Sequence, residues 1–129
     1  MIDTEVRLRI ALARLMVADE LFDNLPGELG TRTALSRGYY GLFHSAQALL
    51  LTVNEKAVGS RLKHGTVSSL VRRRWGSAVG QIYEDALTAR RLADYEADAK
   101  FVLSSVSRQL KTIRTHVHWF CLEAEKWLK

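Results

Sequence analysis

The sequence predicts an all-α protein, a single domain over residues 1–129 built as an up-and-down bundle of four long helices and one short one. Three observations predict it. Apolar residues recur at helical spacing through most of the 129 residues. No segment shows the strict apolar–polar alternation of a strand bounded by turn residues. One proline and eight glycines leave no stretch that reads as a linker or as low-complexity sequence.

The elements follow in order. From Asp3 to about Asn24, the residues Val6, Ile10, Ala13, Val17 and Leu21 give an apolar face, with Asp3 or Thr4 available to cap the start. The turn residues of Asn24-Leu25-Pro26-Gly27-Glu28-Leu29-Gly30 break that helix. A second helix is expected from about Thr31 to Val53, with Leu35, Tyr39, Leu42, Phe43, Ala46, Leu50 and Val53 on its buried face. Residues from Asn54 to Gly65 read as a loop, Thr66 to Trp75 as a short helix ended by Gly76, and Ser77 to Tyr95 as a fourth helix. The last helix, from about Ala97 to Leu128, carries Ala99, Leu103, Val106, Leu110, Ile113, Val117, Phe120, Ala124 and Trp127 in alternating steps of four and three. Such a seam lies along its neighbours at a shallow angle.

Composition narrows the class. At 47% hydrophobic the chain can bury a sizeable core, yet its longest apolar runs, such as Ala48 to Leu51, are far too short to span a membrane. The start Met1-Ile2-Asp3-Thr4-Glu5 lacks the basic and apolar regions of a signal peptide. One cysteine, Cys121, cannot form an internal disulfide, and the expected compartment is a reducing cytoplasm. The net charge of +5 and a pI near 9.7 favour a polyanionic partner without requiring one.

The second helix holds the most informative residues, Ser36-Arg37-Gly38-Tyr39-Tyr40-Gly41-Leu42-Phe43-His44-Ser45-Ala46. At about 100° per residue, Arg37 and His44 nearly eclipse and point away from the stripe of Tyr39, Leu42, Phe43 and Ala46, with Tyr40 at the edge. A histidine off the core face is either a site residue or an ordinary surface residue. Gly38 and Gly41 each cost the helix about 1 kcal/mol relative to alanine. Either the helix tolerates them, or something approaches closely. Gly38, Gly41, Ser45 and Ala48 then read as a smooth interface on which a second copy would pack, and Gly41→Trp would yield monomers.

These residues resemble a known signature. Ser36 to Ala46 is similar to the S-R-x-Y-Y-x-x-F-H-x-A pattern of the HEPN (higher eukaryotes and prokaryotes nucleotide-binding) family. Lys63-His64-Gly65-Thr66-Val67 is similar to that family's lysine-histidine-glycine stretch, and Arg90-Arg91-Leu92-Ala93-Asp94-Tyr95 to its R-x-x-A-D-Y. The likeness runs from about residue 5 to 125. The first motif is the specific one, and the other two gain weight from their order and spacing. The resemblance implies a helical bundle that dimerises and, in many members, a metal-independent ribonuclease with an arginine and a histidine four to six residues apart. Arg37 and His44 have six between them. It also implies a gene partner encoding a minimal nucleotidyltransferase, the pair forming a toxin–antitoxin system. Other members only bind. The arrangement R-x-x-x-x-H-x-Y of the best-known toxin branch does not occur here.

The chemistry can be judged apart from any family. RNA carries its own nucleophile, the 2′-hydroxyl. Cleavage needs a base for that hydroxyl, a proton for the leaving oxygen, and positive charge on the crowded phosphate. Histidine supplies the proton steps near neutral pH, and arginine's fork fits phosphate oxygens. Arg37, His44 and Tyr40 are the catalytic candidates. Seven residues rise about 10.5 Å along a helix, so one Arg37 and one His44 do not converge on one phosphate. A two-fold dimer would supply two of each.

Arg61, Lys63, His64, Arg72, Arg73 and Arg74 form the densest basic cluster, which reads either as a solvated face or as a phosphate track. Trp75 beside it anchors the short helix or stacks on a base. Arg90, Asp94 and Tyr95 read as structural, with Asp94 paired to Arg90 or Arg91 rather than joining Asp98 at a magnesium ion. His116 and His118 lie about 200° apart on a helix and, with Cys121, give no zinc spacing. No metal or cofactor is expected. The leading reading is a homodimeric RNA endonuclease, the toxin of a HEPN/nucleotidyltransferase pair. The alternative is a non-catalytic HEPN module that binds a nucleotidyltransferase partner or a nucleotide.

Overall fold

A computed structural model describes residues 2–24, 27–53 and 64–128. They form an all-α bundle of five helices: α1 (Ile2–Asn24), α2 (Glu28–Thr52), α3 (His64–Trp75), α4 (Ser77–Tyr95) and α5 (Leu103–Leu128). No helix among the described residues is long and apolar enough to cross a membrane. Helix α2 is the centre, contacted by all four others, and 16 of its 25 residues are buried. Its face of Leu35, Tyr39, Leu42, Phe43, Ala46 and Leu50 is buried as the spacing predicts, but Ala34, Gly38, Gly41, Ser45, Ala48 and Leu49 are buried as well.

The glycines explain how so many neighbours fit. A Cβ at Gly41 would lie 3.0 Å from the carbonyl oxygen of Ala11, and one at Gly38 would lie 3.3 Å from Leu110 Cδ2. The strip Gly38, Gly41, Ser45 and Ala48 is therefore covered by α1 and α5 of the same chain. It is not a surface on which a second copy can pack, because the chain's own helices already fill it. Close approach was the right physics for these glycines, and the approaching partner is intramolecular.

Helix α1 turns a different face inward from the one its spacing suggests. Leu8, Ala11, Leu15 and Ala18 are buried, whereas Val6, Ile10 and Val17 are 44%, 37% and 41% exposed. The helix carries apolar residues on both stripes. Small Ala11 and Ala18 win the inner position because α2 presents Gly41 there and the backbones come close.

Two boundaries also move. Helix α3 begins at His64 rather than Thr66, and α5 begins at Leu103 rather than Ala97. Ala99 is half-buried and Leu103 and Trp127 are exposed, so the buried seam of α5 runs from Val106 to Ala124. Before α5, the chain is held open by Arg32. Its guanidinium donates to the carbonyls of Leu92, Ala93, Glu96, Ala97 and Ala99 and lies 5.1 Å from the Phe101 ring. The carbonyls of Leu92 and Glu96 also accept backbone N–H groups, from Glu96 and Ala99, so the guanidinium adds to the bonds that end α4. Between α3 and α4, Gly76 takes φ of 97°, a conformation that glycine adopts without strain. Trp75 packs edge-on against Phe120 and Trp119 of α5, 5.4 and 6.0 Å between centroids, the anchoring role.

Leu15→Ala is expected to destabilise the protein by about 2–5 kcal/mol, the usual range for a buried leucine. Val17→Ala is expected to stay within about 0.5 kcal/mol, as exposed changes do. Urea unfolding followed by circular dichroism checks the pair, and equal costs would show that α1 is turned the other way. Gly41→Trp is expected to lose the folded signal outright rather than give folded monomers.

Candidate functional site

The three motif segments, far apart in sequence, meet on one margin of α2. Helix α4 runs antiparallel to α2, which brings Arg90 to Tyr40 and Asp94 to Ser36. Arg90 Nη2 donates to Tyr40 Oη at 2.7 Å, and its Nε forms an ion pair with Asp94 at 3.0 Å. Ser36 Oγ donates to the same carboxylate at 3.3 Å. The guanidinium also lies against the rings of Tyr40 and Tyr95, at 5.2 and 5.4 Å. The expected structural pairing of Asp94 with Arg90 is what the fold contains. Tyr95 itself is 70% exposed.

His64 enters from the start of α3. Its Nδ1 lies 2.6 Å from Tyr39 Oη, and its ring centroid is 4.5 Å from that of Phe43 and 6.0 Å from that of Tyr40. His44 borders the same aromatic surface from the other side, 5.3 Å from Phe43 and 6.4 Å from Tyr40. Tyr40 and Phe43 thus bridge two imidazoles.

His44 is half-buried rather than pointing freely into solvent, because α2 is covered on nearly every side. Its Nδ1 is buried with no hydrogen-bond partner among the described residues. Helix α1 runs antiparallel along α2 and flanks this imidazole with Arg7 and Arg14. Arg7 donates a hydrogen bond to the buried Gln47. Burial first, then the charges of Arg7 and Arg14, hold the His44 pKa below its ordinary range; Gln47 offsets part of this. His64 is lowered too, by burial and then by Arg90 and Arg91. Burial, and after it the charges of four arginines from two helices, therefore disfavour the protonated form of both imidazoles.

Arg37 does not join them. It is half-buried and lines a shallow groove with Arg32, Thr33, Ser36, Ala93 and Asp94, one step toward the start of α2. Sequence reasoning selected Arg37 as the cation for His44 and overlooked Arg7 and Arg14, although their own spacing of seven along α1 marks one face.

The basic cluster divides. Arg61 and Lys63 lie outside the described residues. Arg72 is bound to Glu84 at 3.0 Å and packs over Gly80, where a Cβ would lie 2.7 Å from its own; it fastens α3 to α4. Arg73 and Arg74 are exposed. His64 belongs to the aromatic site rather than to a track with these residues. His116 Nδ1 binds the carbonyl of Thr112 at 2.9 Å, and no group of three His, Cys, Asp or Glu side chains is placed to hold a metal among the described residues. No protein-family model matches the chain, and no curated protein matches it.

The lowered imidazoles fix the sign of a pH effect. Their stabilising contribution is complete above the unfolded-state pKa of about 6.5 and is lost as pH falls through the lower folded values. The melting temperature of the wild type is expected to drop between pH 7.5 and 5, and that of a His44→Gln, His64→Gln double variant to drop less. Parallel curves in differential scanning calorimetry would show that neither imidazole is held neutral by the fold.

Proposed function

We propose that the protein is a HEPN-type, metal-independent RNA endonuclease. One observation supports the reading above the rest: His44 and His64 border the same ring of Tyr40, 6.4 and 6.0 Å between centroids, and the guanidinium of Arg90 lies 5.2 Å from that ring. Half-buried Tyr40 offers a ring edge to a base. The arginines attract the phosphate and stay charged through the reaction.

In this mechanism His44 takes the proton of a 2′-hydroxyl. The freed oxygen attacks the adjacent phosphorus, the bond from phosphorus to the 5′-oxygen breaks, and the leaving oxygen takes up a proton from water, while His44 returns its own to solvent. The products are a 2′,3′-cyclic phosphate and a 5′-hydroxyl. Arg7 and Arg14, whose charges act on the imidazole, take the scissile phosphate in this reading, and Arg37 contacts the strand one phosphate away. The HEPN reading also carries the toxin of a nucleotidyltransferase pair as its biological setting. A homodimer in this reading uses a face other than the Gly38–Ala48 strip.

A second reading, a non-catalytic module for a nucleotidyltransferase or a nucleotide, is favoured by one observation. The motif's own arginine, Arg37, lines a groove with Ser36 and Asp94 that does not include His44.

The wild type is expected to cleave single-stranded RNA in EDTA and leave cyclic phosphate ends. His44→Ala is expected to abolish cleavage, and Arg7→Ala with Arg14→Ala to reduce it at least tenfold, with helical signal retained. Cleavage that needs magnesium, or that survives His44→Ala, rules this mechanism out. Intact RNA across varied substrates, with tight binding, moves the assignment to the binding module.

A further inference from the structure

The site holds a device that the mechanism above leaves unused. Tyr39 and Tyr83 are 0% and 1% exposed, and their hydroxyls lie 3.1 Å apart. Tyr39 Oη reaches His64 Nδ1 at 2.6 Å, so a line of polar atoms runs from the core of the bundle to a half-buried imidazole at its margin.

Among the described residues, only one direction of proton donation satisfies this line. Tyr39 is the sole hydrogen-bond partner of the Tyr83 hydroxyl among the described residues. If His64 donated from Nδ1, Tyr39 would have to donate to Tyr83, and the Tyr83 proton would be left buried and unmatched. A stranded buried donor costs about 1–3 kcal/mol. If Tyr83 donates to Tyr39 and Tyr39 to Nδ1, every proton in the line has an acceptor. Nδ1 is then unprotonated, and the neutral imidazole carries its hydrogen on Nε2. The environments agree. Burial raises Tyr39 to about 12 and lifts Tyr83 well above its ordinary value, so both hydroxyls keep their protons, while His64 is lowered. Because Nδ1 is turned to Tyr39, Nε2 faces away from it, and it takes no hydrogen bond among the described residues.

We propose that the Tyr83–Tyr39 line fixes His64 as the Nε2–H tautomer and makes it a neutral hydrogen-bond donor to a phosphate oxygen of the bound strand. His64 supplies a directed N–H while the neighbouring arginines supply the charge. It therefore neither accepts nor releases a proton during turnover, which separates it from His44. Tyr39 and Tyr83 are positioning residues and touch no substrate. The inference rests on the reading of this margin as a phosphodiester site, but its central claim, the tautomer, exists in the free protein.

Long-range ¹⁵N–¹H NMR of the imidazoles tests it with inorganic phosphate as the probe. His64 is expected to show the Nε2–H pattern at neutral pH, and phosphate is expected to shift its Nε2–H resonance. In Tyr39→Phe with Tyr83→Phe, which removes both hydroxyls together, the tautomer bias is expected to fall. His64→Ala is expected to weaken phosphate binding about tenfold, the scale of one hydrogen bond to a charged group. His64→Gln, whose amide places an N–H near the position of Nε2, is expected to restore most of the affinity. An Nδ1–H pattern, an unmoved Nε2 resonance, or a glutamine variant as weak as the alanine one overturns the proposal. Phosphate seated on Nε2 in a protein that leaves RNA intact supports the donor role and defeats only the ribonuclease reading.

Discussion

Everything in this bundle depends on the burial of α2 by its four neighbours. A helix so enclosed must be thin, and α2 is thinned by Ala34, Gly38, Gly41, Ser45 and Ala48, where α1 and α5 come down onto backbone. The cost of two glycines within a helix is offset by dispersion contacts that larger residues would forbid. Enclosure also decides where chemistry can happen. The polar side chains of α2 that remain half-buried include Ser36, Arg37, Tyr40 and His44, set along one margin by their spacing of three and four. The site is narrow because the rest of the helix has been spent on the core.

Much of this was legible in the chain. Five helices, with α4 bounded at Ser77 and Tyr95, follow from periodicity and from Gly76. The choice of face on α1 was not legible, because Val6, Ile10, Ala13 and Val17 make as good a stripe as Leu8, Ala11, Leu15 and Ala18. Only the glycine on the opposing helix, which demands small partners, decides between them. The motif residues Ser36, Arg37, Tyr40 and His44 do lie half-buried along one margin of α2, but most of their partners were not legible. A helical wheel shows where a side chain leaves its own helix. It cannot show which helix arrives there, and so Arg7 and Arg14 were overlooked, and Arg90 was paired with Asp94 but not with Tyr40. The start of α5 was missed for a related reason. The pattern continues back to Ala99, but Arg32, more than sixty residues away, claims the carbonyls that would have continued the helix.

The electrostatics of the site set two demands against each other. A surface that attracts phosphate collects cations, and collected cations oppose a protonated imidazole. Arg90 is the cation with the most fixed position, held by Tyr40, Tyr95 and Asp94 together. Fixing a guanidinium in this way removes side-chain freedom before any ligand arrives, so less entropy remains to be lost on binding.

Arg32 gives the fold a temporal order. Its acceptors, Leu92 to Ala99, lie on the far side of the chain, and the guanidinium can reach them only after α2 and α4 have docked. Closure of so long a loop is entropically costly until other contacts hold its ends. The junction between α4 and α5 is thus a latch that shuts after the core has formed. Its strength governs how fast the bundle comes apart more than how fast it assembles.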